Sequence, residues 1–327
     1  FSGSMKVNFY SLPLTELQEL LGRFGKEKFR AQQLYKWVYD KKTCDFEAMT
    51  NLSKEFRKEA QNYLSFDLPK MVSHRVSKDG TQKFLFDIGG GETIESVLIP
   101  ADDRLTLCVS SEIGCNMACK FCFTGKQKLK RRLSADEIVG QFLQASTKLL
   151  QGTRITNIVF MGMGEPLDNT DAVFKSVDIL TDTWGVKFSR KKITISTSGL
   201  VEQIPLVTDA GVRLAVSLNA TTDAVRDHVM PINKKYPIKV LLEACREHAE
   251  ESGDRVTFEY VLLKGVTDRL EQALELFRLT RSVPCKINLI PFNEHPDSGF
   301  TRPDHNHVLR FQEELMRLGA QVYIRRT

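Results

Sequence analysis

Leu105-Thr-Leu-Cys-Val-Ser-Ser-Glu-Ile-Gly-Cys-Asn-Met-Ala-Cys-Lys-Phe-Cys122 joins an apolar, strand-like run to a loop that carries three cysteines. Three residues separate Cys115 from Cys119, and two separate Cys119 from Cys122. Three thiolates this close can hold three irons of a four-iron, four-sulfur cluster. The fourth iron is then left without a protein ligand, where a substrate or cosubstrate can bind. The spacing therefore points to redox catalysis rather than simple structure. Two other readings compete. Buried free cysteines act as small hydrophobes, a poor fit to three in eight residues. Structural zinc wants four ligands, and Cys108, seven residues upstream of Cys115, is a candidate fourth.

From Leu105 onward the chain alternates strand and helix. Strands are expected at Leu105–Ser110, Ile155–Phe160, Lys192–Ser196, Arg213–Leu218, Arg255–Leu263, Lys286–Ile290 and Gln321–Arg325. Ser134-Ala-Asp-Glu137 reads as a capping box that opens a helix. A further helix runs to about Thr183, and others lie near 201–209, 221–229, 238–252, 268–280 and 303–318. Repeated strand–helix units imply a parallel sheet with helices outside it. The expected class is α/β, a partial (β/α)6 TIM-like barrel with its site at the C-terminal strand ends. Polar loops fall there: the cysteine loop, Met161-Gly-Met-Gly-Glu-Pro166, Ser196-Thr-Ser-Gly199, Ser217-Leu-Asn219 and Pro291-Phe-Asn293. Upstream, residues 83–88 and 92–99 flank Gly89-Gly-Gly91, a hairpin signal. Residues 12–64 read as helical, with Leu14, Leu17, Leu20, Leu21 and Phe24 at helical spacing. The expected division is a helical module over 5–68, a linker and hairpin over 69–100, and the barrel over 101–327.

Composition is globular, 42% hydrophobic and 27% charged over 327 residues. No apolar run approaches a membrane span. Phe1-Ser-Gly-Ser4 precedes Met5-Lys6 and reads as a leftover of cloning, with no secretory leader after it. Seven cysteines, an odd number and crowded together, argue against a disulfide framework and for the reducing cytoplasm. Net charge is only +5, but it is unevenly placed. Lys120, Lys126, Lys128, Lys130, Arg131 and Arg132 form a run without an acidic residue, and Lys187, Arg190, Lys191 and Lys192 form a second. Basic runs are often solvated faces. One that abuts a candidate active site would attract a polyanion such as RNA through its phosphates.

These residues resemble a known family. The cysteine spacing, with aromatic Phe121 before the last cysteine, is similar to the signature of the radical S-adenosylmethionine (SAM) enzymes. The whole chain from about Met5 resembles the RlmN/Cfr group of RNA adenosine methyltransferases among them. The likeness rests on Phe29-Arg-Ala-Gln-Gln-Leu-Tyr-Lys-Trp37, Met49-Thr-Asn-Leu-Ser53, Leu107-Cys-Val-Ser-Ser111 and the cysteine triad. It extends through Gly162-Met-Gly-Glu-Pro166 and Met230-Pro-Ile-Asn-Lys-Lys-Tyr236. The resemblance implies a radical SAM fold, a [4Fe-4S] cluster on Cys115, Cys119 and Cys122, and SAM on the open iron. It implies as substrates C2 of an adenosine in the peptidyl-transferase centre of 23S rRNA and C2 of adenosine at position 37 of certain tRNAs. It also implies an RNA-binding role for the helical module, a flavodoxin-type electron donor, a monomer and no membrane association. Gly164-Glu165-Pro166 and the lysine pair in Pro231-Ile-Asn-Lys-Lys235 look like the C2-methylating branch. Cfr-like C8 methylation and a zinc-stabilised RNA-binding protein stay as alternatives.

In the family, one SAM methylates a cysteine near the C-terminus, and a second yields the radical that takes hydrogen from that methyl group. The methylene radical adds to the ring carbon, since C2 of adenine is not nucleophilic. A second cysteine resolves the protein–RNA link as a disulfide. The resemblance places that second cysteine at Cys108 and a proton acceptor at Glu95. It places SAM amino-group binding at Gly164 and Glu165, and carboxylate and ribose binding at Ser196, Ser217, Leu218 and Asn219, with Asn293 at the adenine edge. The family often has histidine where Asn219 stands. No cysteine follows Cys285, and Cys245 and Cys285 read as core residues. The chain as read is therefore expected to bind cluster and SAM without completing methyl transfer.

Overall fold

The computed structural model describes residues 5–325. Residues 1–4, read above as a leftover of cloning, lie outside the described residues. So do the last two, where the chain was expected to stop short of a methyl-carrying cysteine. The chain divides into two compact units. The first holds the described residues up to Ser111 with Arg132–Ile158 and Asn169–Ile193. The second holds Glu112–Arg131, Val159–Asp168 and the described residues from Thr194 onward.

In the first unit, β1 (Val7–Asn8) leads into α1 (Leu14–Gly22), which buries Leu17 and Leu21 at the helical spacing read from the sequence. Then come α2 (Lys28–Tyr35) and α3 (Lys54–Tyr63). Ser53 caps α3 by accepting from the Phe56 N–H at 3.1 Å, which settles where that helix begins. β2 (Leu64–Ser65) returns to pair in parallel with β1 and closes the helical module. Its core is aromatic. Phe9 is fully buried, 5.2 Å from the ring of Phe66 and 5.7 Å from that of Tyr35.

Four antiparallel strands follow: β3 (Lys70–Val76), β4 (Gln82–Asp87), β5 (Thr93–Ala101) and β6 (Arg104–Cys108). The glycine-flanked hairpin is β4–β5, with Asp87 opposite Thr93. The sequence reading left Lys70–Val76 in a linker, whereas the structure pairs it with β4. The strand is hidden because it is largely exposed, with Val72 and Val76 facing solvent and a register irregularity between Met71 and Ser73. An edge strand of this kind lacks the alternating apolar signal.

Against this sheet lies α4 (Ala135–Ser146), capped as expected by the Ser134 N–H donating to Glu137 at 3.0 Å. Its buried Gln141 accepts from the Ser96 hydroxyl at 2.7 Å and the Ser110 N–H at 2.8 Å, and donates to the Ser110 carbonyl at 2.9 Å. One side chain thus satisfies buried polar groups of β5 and of the segment that follows β6. β7 (Asn157–Phe160) begins in this unit, which also contains α5 (Thr170–Thr181).

The second unit is a parallel sheet. Its strands are β8 (Ile193–Thr197, all but its first residue), β9 (Arg213–Ser217), β10 (Val256–Leu262), β11 (Cys285–Pro291) and β12 (Val322–Ile324). Each pairs in parallel with the next in sequence. The connections carry α6 (Ile204–Ala210), α7 (Asp223–Val229), α8 (Ile238–Ser252), α9 (Leu270–Thr280) and α10 (His305–Arg317). Parallel strands need such crossovers, and helices on the sheet bury them. These elements match the expected ones to within a few residues.

Candidate active site

The cysteine loop, the 161–166 loop and the C-terminal ends of β8 to β11 come together inside the second unit. Cys119 and Phe121 pack on the apolar cluster of Val229, Met230, Val261, Leu263 and Phe292. The Lys120 N–H donates to the Val229 carbonyl at 3.0 Å, and a His295 ring nitrogen lies 2.9 Å from the Phe121 carbonyl. Within the loop, the Cys115 N–H donates to the Gln127 carbonyl at 3.1 Å. Gly125 lies on the Cys119 backbone so closely that a Cβ there would sit 2.6 Å from the Cys119 carbonyl oxygen. Only glycine permits that approach.

All three thiols are free and half-buried. Burial pushes the Cys115 thiol up to about 12, and it raises Cys119 as well. Such thiols become thiolates when a bound cation offsets the desolvation. Among the described residues, no three His, Cys, Asp or Glu side chains converge to hold one metal ion. A tetrahedral zinc needs that convergence. An iron–sulfur cluster places each thiolate on a different iron. Three thiols on one loop, with no fourth protein donor required, are the donor set of such a cluster.

Glu165 is the hub of the polar side of the site. It is 3% exposed. Its Oε1 accepts from the Thr197 hydroxyl at 3.0 Å, the Ser198 N–H at 2.6 Å and the Ser198 hydroxyl at 2.8 Å, and its Oε2 accepts from the Leu167 N–H at 2.9 Å. Burial raises its pKa, opposed by these hydrogen bonds. A carboxylate oxygen offers two lone pairs, so Oε2 keeps an acceptor position that suits an ammonium. Gly164 takes φ +94°, and a Cβ there would fall 2.5 Å from the Glu112 Cβ. That contact seats the loop on the residue leading into the cysteines, and the Glu165 N–H donates to Glu112 Oε1 at 2.8 Å.

Ser196 and Ser217 are half-buried at the ends of β8 and β9. Leu218 is fully buried, its N–H donating to the Glu259 carbonyl at 3.0 Å. Asn219 adopts φ +59°, a conformation asparagine tolerates. Its amide is engaged: Oδ1 accepts from the Val261 N–H at 2.9 Å, and Nδ2 lies 3.4 Å from the Met230 sulfur. Asn293 is exposed and accepts from Arg302 at 3.3 Å. Cys108 and Glu95 belong to the first unit. Cys108 is buried on β6 opposite Val97, so Glu95, two residues from Val97, projects from the same face of the sheet. Glu95 itself is exposed, and its carbonyl accepts from the Ser110 hydroxyl at 2.6 Å.

Arg226 was missed by the sequence reading. It is wholly buried on α7. Its guanidinium donates to the Leu218 carbonyl at 2.8 Å, Asn233 Oδ1 at 3.1 Å, the Ser198 carbonyl at 2.6 Å and the Ser217 carbonyl at 2.9 Å. One fork of donors thus ties the ends of β8 and β9 together. The available signal was its position three residues before Val229, on the buried face of its helix.

Comparison with known proteins bears on this geometry. Residues 111–277 match the radical SAM superfamily model, and residues 7–65 match the ribosomal RNA large subunit methyltransferase N-terminal domain. The chain is 61% identical over 321 residues to the "Dual-specificity RNA methyltransferase RlmN" of Bdellovibrio bacteriovorus, covering 98% of this chain and 80% of that protein. It is 46% identical to the protein of the same name from Geotalea uraniireducens, over 95% of this chain and 90% of that one. A crystal structure of a radical SAM methyltransferase from Sphaerobacter thermophilus superposes with a TM-score of 0.89 at 41% identity, covering 98% of this chain and 95% of that one. The α/β fold of radical SAM type expected from the sequence is the fold of these relatives.

Proposed function

The chain belongs to the RlmN family of radical SAM methyltransferases, and from that premise we propose that it is an RNA methyltransferase of dual specificity, acting on C2 of adenosine in 23S rRNA and in tRNA. The observation that carries this reading is the braced three-cysteine loop beside the buried Glu165 carboxylate at one end of a parallel sheet. Cys115, Cys119 and Cys122 are the residues that would hold the [4Fe-4S] cluster. When bound, that cluster and SAM supply a one-electron cleavage that makes a carbon radical, which is what an unactivated aromatic C–H demands.

The protein's own share is positioning and proton handling. Glu165 and the turn at Gly164 attract the amino group of SAM through a buried negative charge. The hydroxyls of Ser196 and Ser217 serve its carboxylate and ribose. Leu218 and Asn219 shape the same strand end, and Asn293 reaches toward the adenine edge. Arg226 holds those strand ends in place. Cys108 would be the resolving thiol and Glu95, on the same sheet face, the acceptor of the ring proton; the methyl-carrying cysteine with which Cys108 would form its disulfide is not among the 327 residues of this sequence. Residues 5–68 act as an accessory RNA-binding module, 69–100 connect it, and 101–327 form the catalytic part. The electron donor is of flavodoxin type, and the protein works as a cytoplasmic monomer. Among the described residues, no helix is long and apolar enough to cross a membrane.

Iron, sulfide and zinc are to be measured on protein purified without oxygen, with paramagnetic resonance spectra before and after SAM. About four irons per chain and a SAM-perturbed spectrum are expected. Stoichiometric zinc without iron would overturn the radical reading. Mapping the methyl group on product adenosine decides between C2 and C8.

A further inference from the structure

Both tryptophans of the chain, Trp37 and Trp184, line one groove in the first unit. Its volume is about 330 Å³, within the range of small-ligand pockets. Phe29 adds a third aromatic ring, 45% exposed, and Trp184 is 44% exposed. Phe24, Phe123 and Tyr323 are at least as open, but here three large rings share one groove.

The groove is built rather than incidental. After α2 the backbone changes to a π turn over Lys36–Asp40, closed by the Lys41 N–H donating to the Lys36 carbonyl at 2.9 Å. Turns of this kind are uncommon and cluster at functional positions. This one contains Trp37. The indole N–H donates to Asn51 Oδ1 at 2.6 Å, which fixes the ring, and the Lys41 ammonium lies 4.1 Å from its centroid. Trp184 is brought in by Gly185, which packs on Tyr39 and Tyr35 so tightly that a Cβ would lie 3.1 Å from the Tyr39 ring.

The remaining lining supplies two further chemistries. Gln32, Gln33 and Asn51 present amides, which can pair with the donor and acceptor edge of a heterocycle. Gln33 Oε1 already accepts from Arg30 at 2.9 Å, leaving its NH₂ as the donor. Lys36 and Lys41 supply positive charge, and among the described residues that line the groove none is acidic. The second basic run, Lys187 to Lys192, begins three residues beyond Trp184. Aromatic faces, base-edge amides and lysines on one surface are what an unpaired nucleotide requires: stacking, edge pairing and phosphate neutralisation.

We propose that this groove binds an unstacked nucleobase of the RNA substrate, stacked on Trp184 and Trp37, with the adjoining phosphates on Lys36 and Lys41. The groove lies in the first unit, formed by the helical module together with Trp184 after α5, and it shares no lining residue with those assigned to chemistry; the proposal rests on the RNA-methyltransferase reading above. It gives this unit a way to recognise RNA with single-stranded loops rather than plain duplex.

The test uses the whole protein with a fluorescein-labelled RNA hairpin bearing an unpaired loop, and the fully paired duplex of the same stem. Anisotropy reads binding, and tryptophan emission reads the groove directly, since the chain has no other indole. The hairpin is expected to quench the emission saturably and the duplex to leave it unchanged. Trp184→Ala should weaken hairpin binding roughly 5- to 150-fold, the range for loss of one base–aromatic stack. Trp184→Phe should recover most of it, and Lys41→Ala should lower the salt slope by about one. Unchanged emission, with equal hairpin affinity for wild type and Trp184→Ala, would overturn the groove while leaving RNA binding intact, and would assign this face to a protein partner. Absence of any RNA binding by the wild type would overturn both readings.

Discussion

Replacing Arg226 by methionine keeps the volume and the apolar stem but removes the fork that gathers the strand ends. Three backbone carbonyls and the Asn233 amide oxygen then lose their donor in a wholly buried place. A hydrogen bond from a charged group is worth about 1.5–3 kcal/mol. Opposing this, burial lowers the guanidinium pKa to about 10, a cost of roughly 3 kcal/mol. Two of the bonds share the Nη2 nitrogen, so the four do not add. The net loss expected is about 3–5 kcal/mol, the usual consequence of breaking a buried charged network. In a chain of this size that lowers the melting temperature on the order of 10 °C. Arg226→Lys keeps the charge but offers one ammonium to acceptors on three separated segments, so it should restore only part of the loss. The assay is an anaerobic thermal scan of the cluster-loaded protein, paired with SAM titration by paramagnetic resonance. SAM affinity should fall at least about tenfold in Arg226→Met even at temperatures where the variant is folded, because the Ser217 and Ser198 carbonyls lose their anchor. A variant that melts within about 2 °C of wild type and binds SAM as tightly would refute the reasoning.

Other substitutions probe separate links. Gly125→Ala forces a methyl group against the Cys119 backbone at 2.6 Å, so iron per chain should drop to less than about half of wild type while the far-ultraviolet spectrum stays the same. Cys108→Ala should leave iron content and the SAM-induced spectral change intact, because Cys108 is a strand residue opposite Val97; loss of metal in that variant would instead favour a four-cysteine zinc site. Glu259 is buried at the middle of β10, with Oε1 3.4 Å from the Asn288 amide and, among the described residues, no hydrogen-bond partner on Oε2. Burial raises its pKa above the unfolded value, so its carboxylate costs stability once pH rises past the usual carboxylate range, and the cost is absent below that range. Glu259→Gln should therefore be more stable than wild type at neutral pH, with the difference closing toward about pH 4; a difference constant across pH, seen in parallel urea titrations, would contradict this.

Local chemistry could be read directly. Three cysteines within eight residues need no tertiary knowledge, because their spacing along the chain is itself what lets them share one cluster. The strand–helix alternation was equally legible, since buried parallel strands are apolar throughout and their crossover helices carry a different period. Ser134 announced its helix through capping chemistry that spans three residues. Lys70–Val76 escaped notice because an exposed edge strand has no apolar periodicity to reveal it.

What joined distant segments was not legible. Glu165 reads as an acidic strand end open to a ligand. In the fold, most of its carboxylate is taken up by donors at Thr197 and Ser198, more than thirty residues away. Arg226 reads as a cation on a short helix, where solvent is the usual partner. It is buried only because the carbonyls of Ser198, Ser217 and Leu218 converge on it. Trp184 and Trp37 lie well apart in sequence, and neither signals a shared groove until Gly185 packs on Tyr39. The sequence by itself determined the cysteine motif, the element types of the parallel sheet and its helices, and the family, all properties of short-range spacing. Only the tertiary structure decided which polar groups satisfy one another, because a buried hydrogen bond depends on where two chain segments meet, and neither segment carries that information alone.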